Sequence, residues 1–158
     1  MYPAVNEAGQ LWRLPREKVI FLGFDGVLHE QNSASFERLP LLEGFLRLHS
    51  QISIVIASTW RRAPRPILEE LFSEDIRSRL SGCTATQGLF SLRSTEVQLW
   101  AHRNRVCDFI ALDAQPGRFR REWEHQLITQ SPSGLSLYEL RRLQHWAENS
   151  KLYGGLSA

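Results

Sequence analysis

The chain has 158 residues, which is the length of one ordinary domain and is enough to enclose a hydrophobic core. Its 42% hydrophobic and 23% charged residues are typical of a globular protein, and its formal net charge of +2 is too small to indicate nucleic-acid binding by itself. No apolar run reaches about 18 residues and the N-terminus lacks an apolar signal core, so we expect a cytoplasmic protein that does not enter the membrane.

The hydrophobic pattern predicts alternating strands and helices after a polar N-terminal arm over residues 1–17, which Trp12 and Leu14 would attach to the domain. Strands are predicted at about 18–24, 51–59, 82–86, 108–112 and 125–129. Helices are predicted at about 40–49, 64–72, 74–80 and 94–104, and from a capping box that begins at Ser136. The polar segment 29–39 is predicted to be a loop or flap over the end of the first strand.

Strands that alternate with helices indicate a sheet whose parallel strands are joined by right-handed crossovers. We therefore predict an α/β fold, a Rossmann-like three-layer sandwich with a mainly parallel, five-stranded sheet. A single domain would span residues 18–150, followed by a C-terminal tail at 151–158. Cys83 and Cys107 lack the spacing of a metal site or a disulfide framework and lie in apolar contexts, so we expect two buried, reduced thiols.

Polar side chains follow three of the predicted strands. Asp25 follows the first strand, Ser58 and Thr59 follow the second, and Asp113 follows the fourth. Taken singly, each has an ordinary structural explanation as a capping or turn residue. The carboxyl ends of parallel strands lie at one edge of a sheet, and ligands bind there in open α/β folds. Together these residues therefore predict one polar crevice.

The first strand and the turn after it carry the most specific motif of the chain. Gly23-Phe24-Asp25-Gly26-Val27-Leu28 resembles the first motif of the haloacid-dehalogenase-like (HAD) phosphohydrolases, Asp-x-Asp-Gly-[Thr/Val]-Leu. The resemblance extends over about residues 18–148 and implies a HAD-like fold. It implies that Ser58, or its neighbour Thr59, grips a phosphoryl group and that Asp113 belongs to an acidic cluster that binds Mg²⁺. It also implies a cation beside the phosphoryl group, for which Arg93 is the first candidate and Arg61 and Arg103 are the alternatives.

More narrowly, the chain is similar to a small bacterial branch of HAD domains that occurs in RNA-repair-type proteins. Ser58-Thr59-Trp60-Arg61 matches most of the motif that follows the second strand in that branch. A cap domain of the usual size is absent, and only the loop at 29–39 would serve as a minimal cap. Such an open site suits a macromolecular ligand or a docking partner.

The departures from the family pattern concern its carboxylates. Gly23 stands where the family has its nucleophilic Asp, and Ala114 and Gln115 stand where the fourth motif has further acids. Because the attacking carboxylate is also a magnesium ligand in this family, the resemblance implies that Mg²⁺ is possible at Asp25 and Asp113 but weakly held. Asp25 remains as the general acid, which contributes only about 10²–10⁴-fold, whereas loss of a nucleophile costs about 10⁶-fold.

The first hypothesis is therefore a degenerate HAD-like domain, inactive or strongly impaired, that binds a phosphate-bearing ligand or a protein partner. The alternative is a Mg²⁺-dependent phosphatase acting on a phosphorylated, nucleic-acid-related substrate, in which Gly23 is an engineered or compensated change. A further alternative is surface binding of nucleic acid, which basic and aromatic side chains together would support. The residues of that patch would be Trp60, Trp123, Trp146, Arg118, Arg120 and Arg121. His29 is a candidate nucleophile or base, although a plain loop side chain is the commoner role of such a histidine.

Overall fold

The structure, a computed structural model, describes residues 9–86 and 91–156, and describes side chains as far as residue 149. Within these ranges the chain forms six strands: β1 (Gln10–Leu11), β2 (Lys18–Leu22), β3 (Ile52–Ile56), β4 (Leu80–Cys83), β5 (Phe109–Asp113) and β6 (Gln126–Ile128). The same described residues form four α-helices: α1 (Leu39–Leu48), α2 (Arg65–Glu70), α3 (Arg93–Arg103) and α4 (Leu137–Leu156). Short 3₁₀ turns lie at Thr59–Arg62, Arg77–Arg79 and Pro116–Arg118.

The strands form one sheet in the order β1-β4-β3-β2-β5-β6. All neighbours pair in parallel except β1, which runs antiparallel to β4. Strand β2 is central, and its five residues are all buried because both of its neighbours pair with it and helices cover both faces. This arrangement confirms the predicted Rossmann-like α/β architecture.

The two faces of the sheet carry two separate hydrophobic clusters. One face of β2, with Ile20 and Leu22, packs with apolar residues of α1, α2 and α4. The opposite face, with Val19 and Phe21, packs with Val97, Trp100 and Ala101 of α3. Alternating residues of a strand point to opposite faces, so the continuous apolar run of β2 supplies both clusters. The three layers are therefore helices, sheet and helix.

The predicted strand count of five was wrong, because β1 adds a sixth strand within the segment expected to be an arm. Gln10 pairs with Cys83 and Leu11 with Gly82, and Trp12 packs against the core, whereas Leu14 is 83% exposed. Residues 1–8 of the predicted arm and 157–158 of the predicted tail lie outside the described residues.

Other differences between prediction and structure are local. The segment expected to be a helix at 74–80 contains only a 3₁₀ turn, and the strand expected at 82–86 lies at Leu80–Cys83. Helix α4 continues through the predicted tail as far as Leu156. Cys83 is buried as expected, but Cys107 is exposed. Within residues 9–86 and 91–156, none of the helices combines the length and apolar character that crossing a bilayer requires.

Candidate functional site

A small polar crevice lies at the carboxyl ends of β2, β3 and β5, which are neighbours at the centre of the sheet. Its volume is about 140 Å³. The residues that line the crevice are Gly23, Phe24, Asp25, Gln31, Ser58, Thr59, Arg93, Asp113, Gln115 and Arg118. Six residues that the sequence predicted for the site therefore border one space: Gly23, Asp25, Ser58, Thr59, Arg93 and Asp113. The alternatives Arg61, Arg103 and His29 do not line it. Gln31 was not predicted as a site residue and Arg118 was predicted to belong to the surface patch, because loop side chains carry no periodic signal.

Asp113, the last residue of β5, is buried and has hydrogen bonds to both of its carboxylate oxygens. Its Oδ1 accepts from the backbone N–H groups of Ala114, at 2.7 Å, and Gln115, at 3.2 Å. Its Oδ2 accepts from Arg93 Nη1 at 2.8 Å. The ion pair is almost completely removed from solvent, with side-chain exposures of 6% for Arg93 and 4% for Asp113. These contacts neutralise the carboxylate and fix its position.

Gly23 follows β2 directly and leaves the space that the Asp113 side chain fills. A Cβ atom placed on Gly23 would lie 2.8 Å from Asp113 Oδ2 and 2.9 Å from its Cγ, closer than real Cβ contacts. Any side chain at position 23 therefore requires Asp113 to move. The position that carries the nucleophile in the family is therefore a glycine here, and the Asp113 carboxylate, paired with Arg93, lies directly over it.

Of the three candidate cations, only Arg93 lines the crevice. Arg93 is the first residue of α3, and its buried Nε has no hydrogen-bond partner among the described residues. Arg61 instead pairs with Glu96, 3.1 Å from its Nη1, and donates to Thr84 Oγ1. Burial lowers the pKa of Arg61, and the neighbouring Glu96 carboxylate opposes that effect. Arg103 is exposed on the surface of the same helix as Arg93.

Asp25 is held from one side by aromatic residues. His29 Nε2 lies 2.7 Å from Asp25 Oδ1, and Trp60 Nε1 donates to the same oxygen at 3.2 Å. His29 is fully buried and packs against the rings of Phe36 and Trp60, so it cannot reach a ligand as a nucleophile. It acts here as a support that fixes the Asp25 carboxylate, which itself remains partly exposed to the crevice.

Ser58 and Thr59 differ in accessibility. Ser58 is buried, and its Oγ accepts from the backbone N–H of Trp60, so that it caps the 3₁₀ turn at Thr59–Arg62. Thr59 is exposed at the mouth of the crevice. Both therefore border the space where a ligand would lie.

The aromatic patch predicted on the surface is not assembled. Trp123 is 3% exposed and stacks on Phe119 inside the cluster beneath α3. Trp60 belongs to the crevice wall, and Trp146 packs against the Lys18 ammonium. These side chains are thus part of the packed structure and do not form a common stacking platform.

The residues of the crevice are poor ligands for Mg²⁺. This ion requires near-octahedral oxygen coordination, which proteins usually supply through one or two carboxylates together with waters and substrate phosphates. Gly23 offers no ligand, Asp113 is occupied by its three hydrogen bonds, and Oδ1 of Asp25 is occupied by His29 and Trp60. Among the residues that the structure describes, no group of three or more His, Cys, Asp or Glu side chains could hold a metal ion.

The three-layer α/β sandwich carries an Asp-Gly turn, a Ser-Thr pair and a late Asp at three adjacent strand ends, and a cation at the start of α3. This is the arrangement expected of a HAD-like domain. The family model described as the HAD domain in Swiss Army Knife RNA repair proteins matches residues 19–140. This range is most of the 158-residue chain, and the protein belongs to that family. No curated protein and no solved structure shows significant similarity to the chain.

Proposed function

We propose that the protein is a non-hydrolysing HAD-like domain that binds a phosphate-bearing ligand in the crevice without Mg²⁺. The observation that carries the proposal is the Asp113 carboxylate, which lies over Gly23 and is paired with Arg93. Catalysis in this family needs a carboxylate at position 23, and here that space is taken by a group whose charge is already compensated.

The remaining groups do not replace the missing nucleophile. Asp25 is directed by His29 and Trp60 and serves in this family as a general acid, which assists departure of a leaving group but does not attack phosphorus. Substituting the nucleophile alone lowers kcat by about 10⁶-fold in enzymes for which such single variants have been measured. The residual contribution of a general acid, about 10²–10⁴-fold, requires that another group attack.

The charge balance of the crevice supports binding of an anion. A HAD crevice with its full set of carboxylates repels phosphate unless a divalent cation screens them. Here two carboxylates, Asp25 and Asp113, face two guanidinium groups, Arg93 and Arg118. The guanidinium group of Arg118 and the hydroxyl of the exposed Thr59 are donors of the kind that phosphate oxygens accept. The family occurs in RNA repair proteins, so a phosphate of a nucleic-acid end is the ligand class that we propose.

Two measurements test this proposal. With p-nitrophenyl phosphate and Mg²⁺ we expect no turnover above a buffer blank, and with inorganic phosphate in EDTA we expect saturable binding by calorimetry. Arg118→Ala is expected to weaken phosphate binding by about tenfold, because a charge-assisted hydrogen bond is lost. Arg103→Ala, on the exposed surface of α3, is the matched control and is expected to change nothing.

Turnover by the unmodified chain that disappears in Asp25→Asn would refute the proposal and favour the Mg²⁺-dependent phosphatase. Phosphate binding that requires Mg²⁺ would contradict the charge argument. Absence of any phosphate binding, with or without the ion, would leave a protein partner as the ligand of this surface.

A further inference from the structure

A second, larger cavity of about 560 Å³ adjoins the crevice. Its lining residues are Gly26, Glu30, Gln31, Asn32, Ser33, Ala114, Thr129, Gln130, Ser131 and Pro132. Gln31 lines both spaces, and Gly26 and Ala114 directly follow Asp25 and Asp113 in the chain. We call this space the polar cavity. It is bounded by the loop after β2 and by the loop between β6 and α4.

The chemistry of the polar cavity differs from that of the crevice. Among the described residues that line it there is no Lys or Arg, and Glu30 is the only ionisable side chain. Its side chains include three amides, Gln31, Asn32 and Gln130, together with the hydroxyl groups of two serines and a threonine. Such a lining offers paired donors and acceptors but no compensation for a second anionic group. A ligand part that fits here is neutral, polar and rich in hydrogen-bonding edges.

The volumes of the crevice and of the polar cavity indicate which part of a ligand each can hold. The crevice, at about 140 Å³, is far below the roughly 300–1,000 Å³ of ordinary small-molecule sites and is large enough for a group of the size of phosphate. The polar cavity, at about 560 Å³, lies within that range. Gln31 borders both, so the two spaces are adjacent.

We propose that the polar cavity binds the nucleoside of a nucleotide whose phosphate lies in the crevice. This inference rests on the proposed phosphate binding and adds the class of ligand. Asn and Gln amides pair in two-point fashion with a base edge that has a donor beside an acceptor, as the edge of adenine does. The hydroxyl groups of Ser33 and Ser131 are suited to the ribose, for which an apolar pocket would be unsuitable.

The test compares five probes in EDTA by calorimetry: inorganic phosphate, adenosine, ribose 5-phosphate, and AMP with its phosphate on either the 5′ or the 3′ position. At least one AMP isomer is expected to bind about tenfold or more tightly than inorganic phosphate. Asn32→Ala with Gln130→Ala removes an amide from each loop and leaves the crevice lining unchanged. This double variant is expected to lose most of the additional affinity for AMP, by about 2–10-fold for each lost hydrogen bond, while its affinity for inorganic phosphate stays constant.

The matched control is Gln98→Ala with Gln144→Ala, two exposed amides that line neither cavity. An equal loss in the control would overturn the inference. AMP that binds no more tightly than phosphate would also overturn it and would leave the proposed function intact. If ribose 5-phosphate binds as tightly as AMP, the polar cavity recognises only the sugar, and the proposed nucleoside site is wrong. If neither phosphate nor AMP binds, the proposed function and the inference both fail. An oligonucleotide with a terminal phosphate, compared with AMP, separates a nucleic-acid end from a free nucleotide.

Discussion

Restoring the family carboxylate by Gly23→Asp is expected to destabilise this protein. Gly23 does not occupy the left-handed region of backbone conformation, so the substitution acts through the side chain alone. The new Cβ would lie 2.8 Å from Asp113 Oδ2 and 3.2 Å from Oδ1. Asp113 cannot turn aside without losing hydrogen bonds to Ala114, Gln115 or Arg93. The added residue therefore meets both a steric and an electrostatic obstacle.

The matched variant Gly23→Asn separates the two contributions, because Asn has the size of Asp without its charge. Inserting a side chain into a packed site costs about 1–3 kcal/mol, which is the expected loss for Asn. Two carboxylates about 4 Å apart repel by about 4 kcal/mol at an effective dielectric constant near 20. Attraction of the new carboxylate to the Arg93 guanidinium, or a proton taken up by one carboxyl group, limits that cost. We therefore expect Gly23→Asp to be less stable than Gly23→Asn by a further ~2–4 kcal/mol.

Urea and thermal unfolding at pH 7 in EDTA measure this difference. For a chain of this size, 1 kcal/mol shifts the Tm by about 2–4 °C, so Asp should melt at least about 5 °C below Asn. The gap should narrow on acidification, since protonation of either carboxyl removes the repulsion. Equal stability of the two variants would refute the view that Asp113 is fixed beside position 23. A stabilisation of Gly23→Asp by millimolar Mg²⁺ of more than about 1 kcal/mol would refute the claim that the Asp113 oxygens are unavailable.

Three further predictions concern the Arg93–Asp113 pair, the two cysteines and Glu69. Arg93→Met leaves a buried carboxylate without its cation and is expected to lower the free energy of unfolding by about 3–5 kcal/mol. The control Arg103→Met, at an exposed position, should lower it by less than ~0.5 kcal/mol. If urea titrations show similar losses for the two variants, the ion pair is not buried. Burial raises the pKa of the Cys83 thiol, so a thiol reagent should label the exposed Cys107 quickly and Cys83 only on unfolding, and simultaneous labelling would disagree with the fold. Burial opposes ionisation of Glu69, but hydrogen bonds and charges from two arginines outweigh it and hold the pKa of Glu69 below its ordinary 4.5. Its ionised form therefore contributes stability above pH 4.5 that is lost as the pH falls through the folded-state pKa, and Glu69→Gln should flatten the stability profile below about pH 5; an unchanged profile would argue against the pairing.

The central strands could be predicted because their residues are almost all apolar or β-branched, which is the pattern of buried strands. Strand β2 is apolar over Val19–Leu22 and β3 is β-branched at nearly every position, as strands buried on both faces must be. Strand β1 could not be predicted in this way. It has only two residues, Gln10 and Leu11, both exposed, and it exists because their backbone pairs with β4. A strand defined by its partner has no periodicity of its own.

The position of the crevice could be predicted for a similar reason, but the pairing of its carboxylates could not. The order of strands along a parallel sheet brings Asp25, Ser58 and Asp113 to one edge without reference to side-chain detail. The partners of those side chains come from elements far apart in sequence. Arg93 reaches Asp113 from α3, and Trp60 reaches Asp25 from the turn after β3. Such pairings decide whether a carboxylate is available to a metal or already neutralised, and a linear pattern does not contain them.

The departures at positions 23, 114 and 115 are physically consistent with one another. A glycine at 23 makes room for Asp113, and the backbone N–H groups of Ala114 and Gln115 then hold that carboxylate where Arg93 can pair with it. Each lost acid lowers the negative charge that a divalent cation would otherwise have to offset. The crevice that results has equal numbers of carboxylates and guanidinium groups, so that an anion can enter it without a metal. Reversing one departure adds charge to a site whose other groups are already paired, and for that reason a single back-substitution should cost stability before it restores any chemistry.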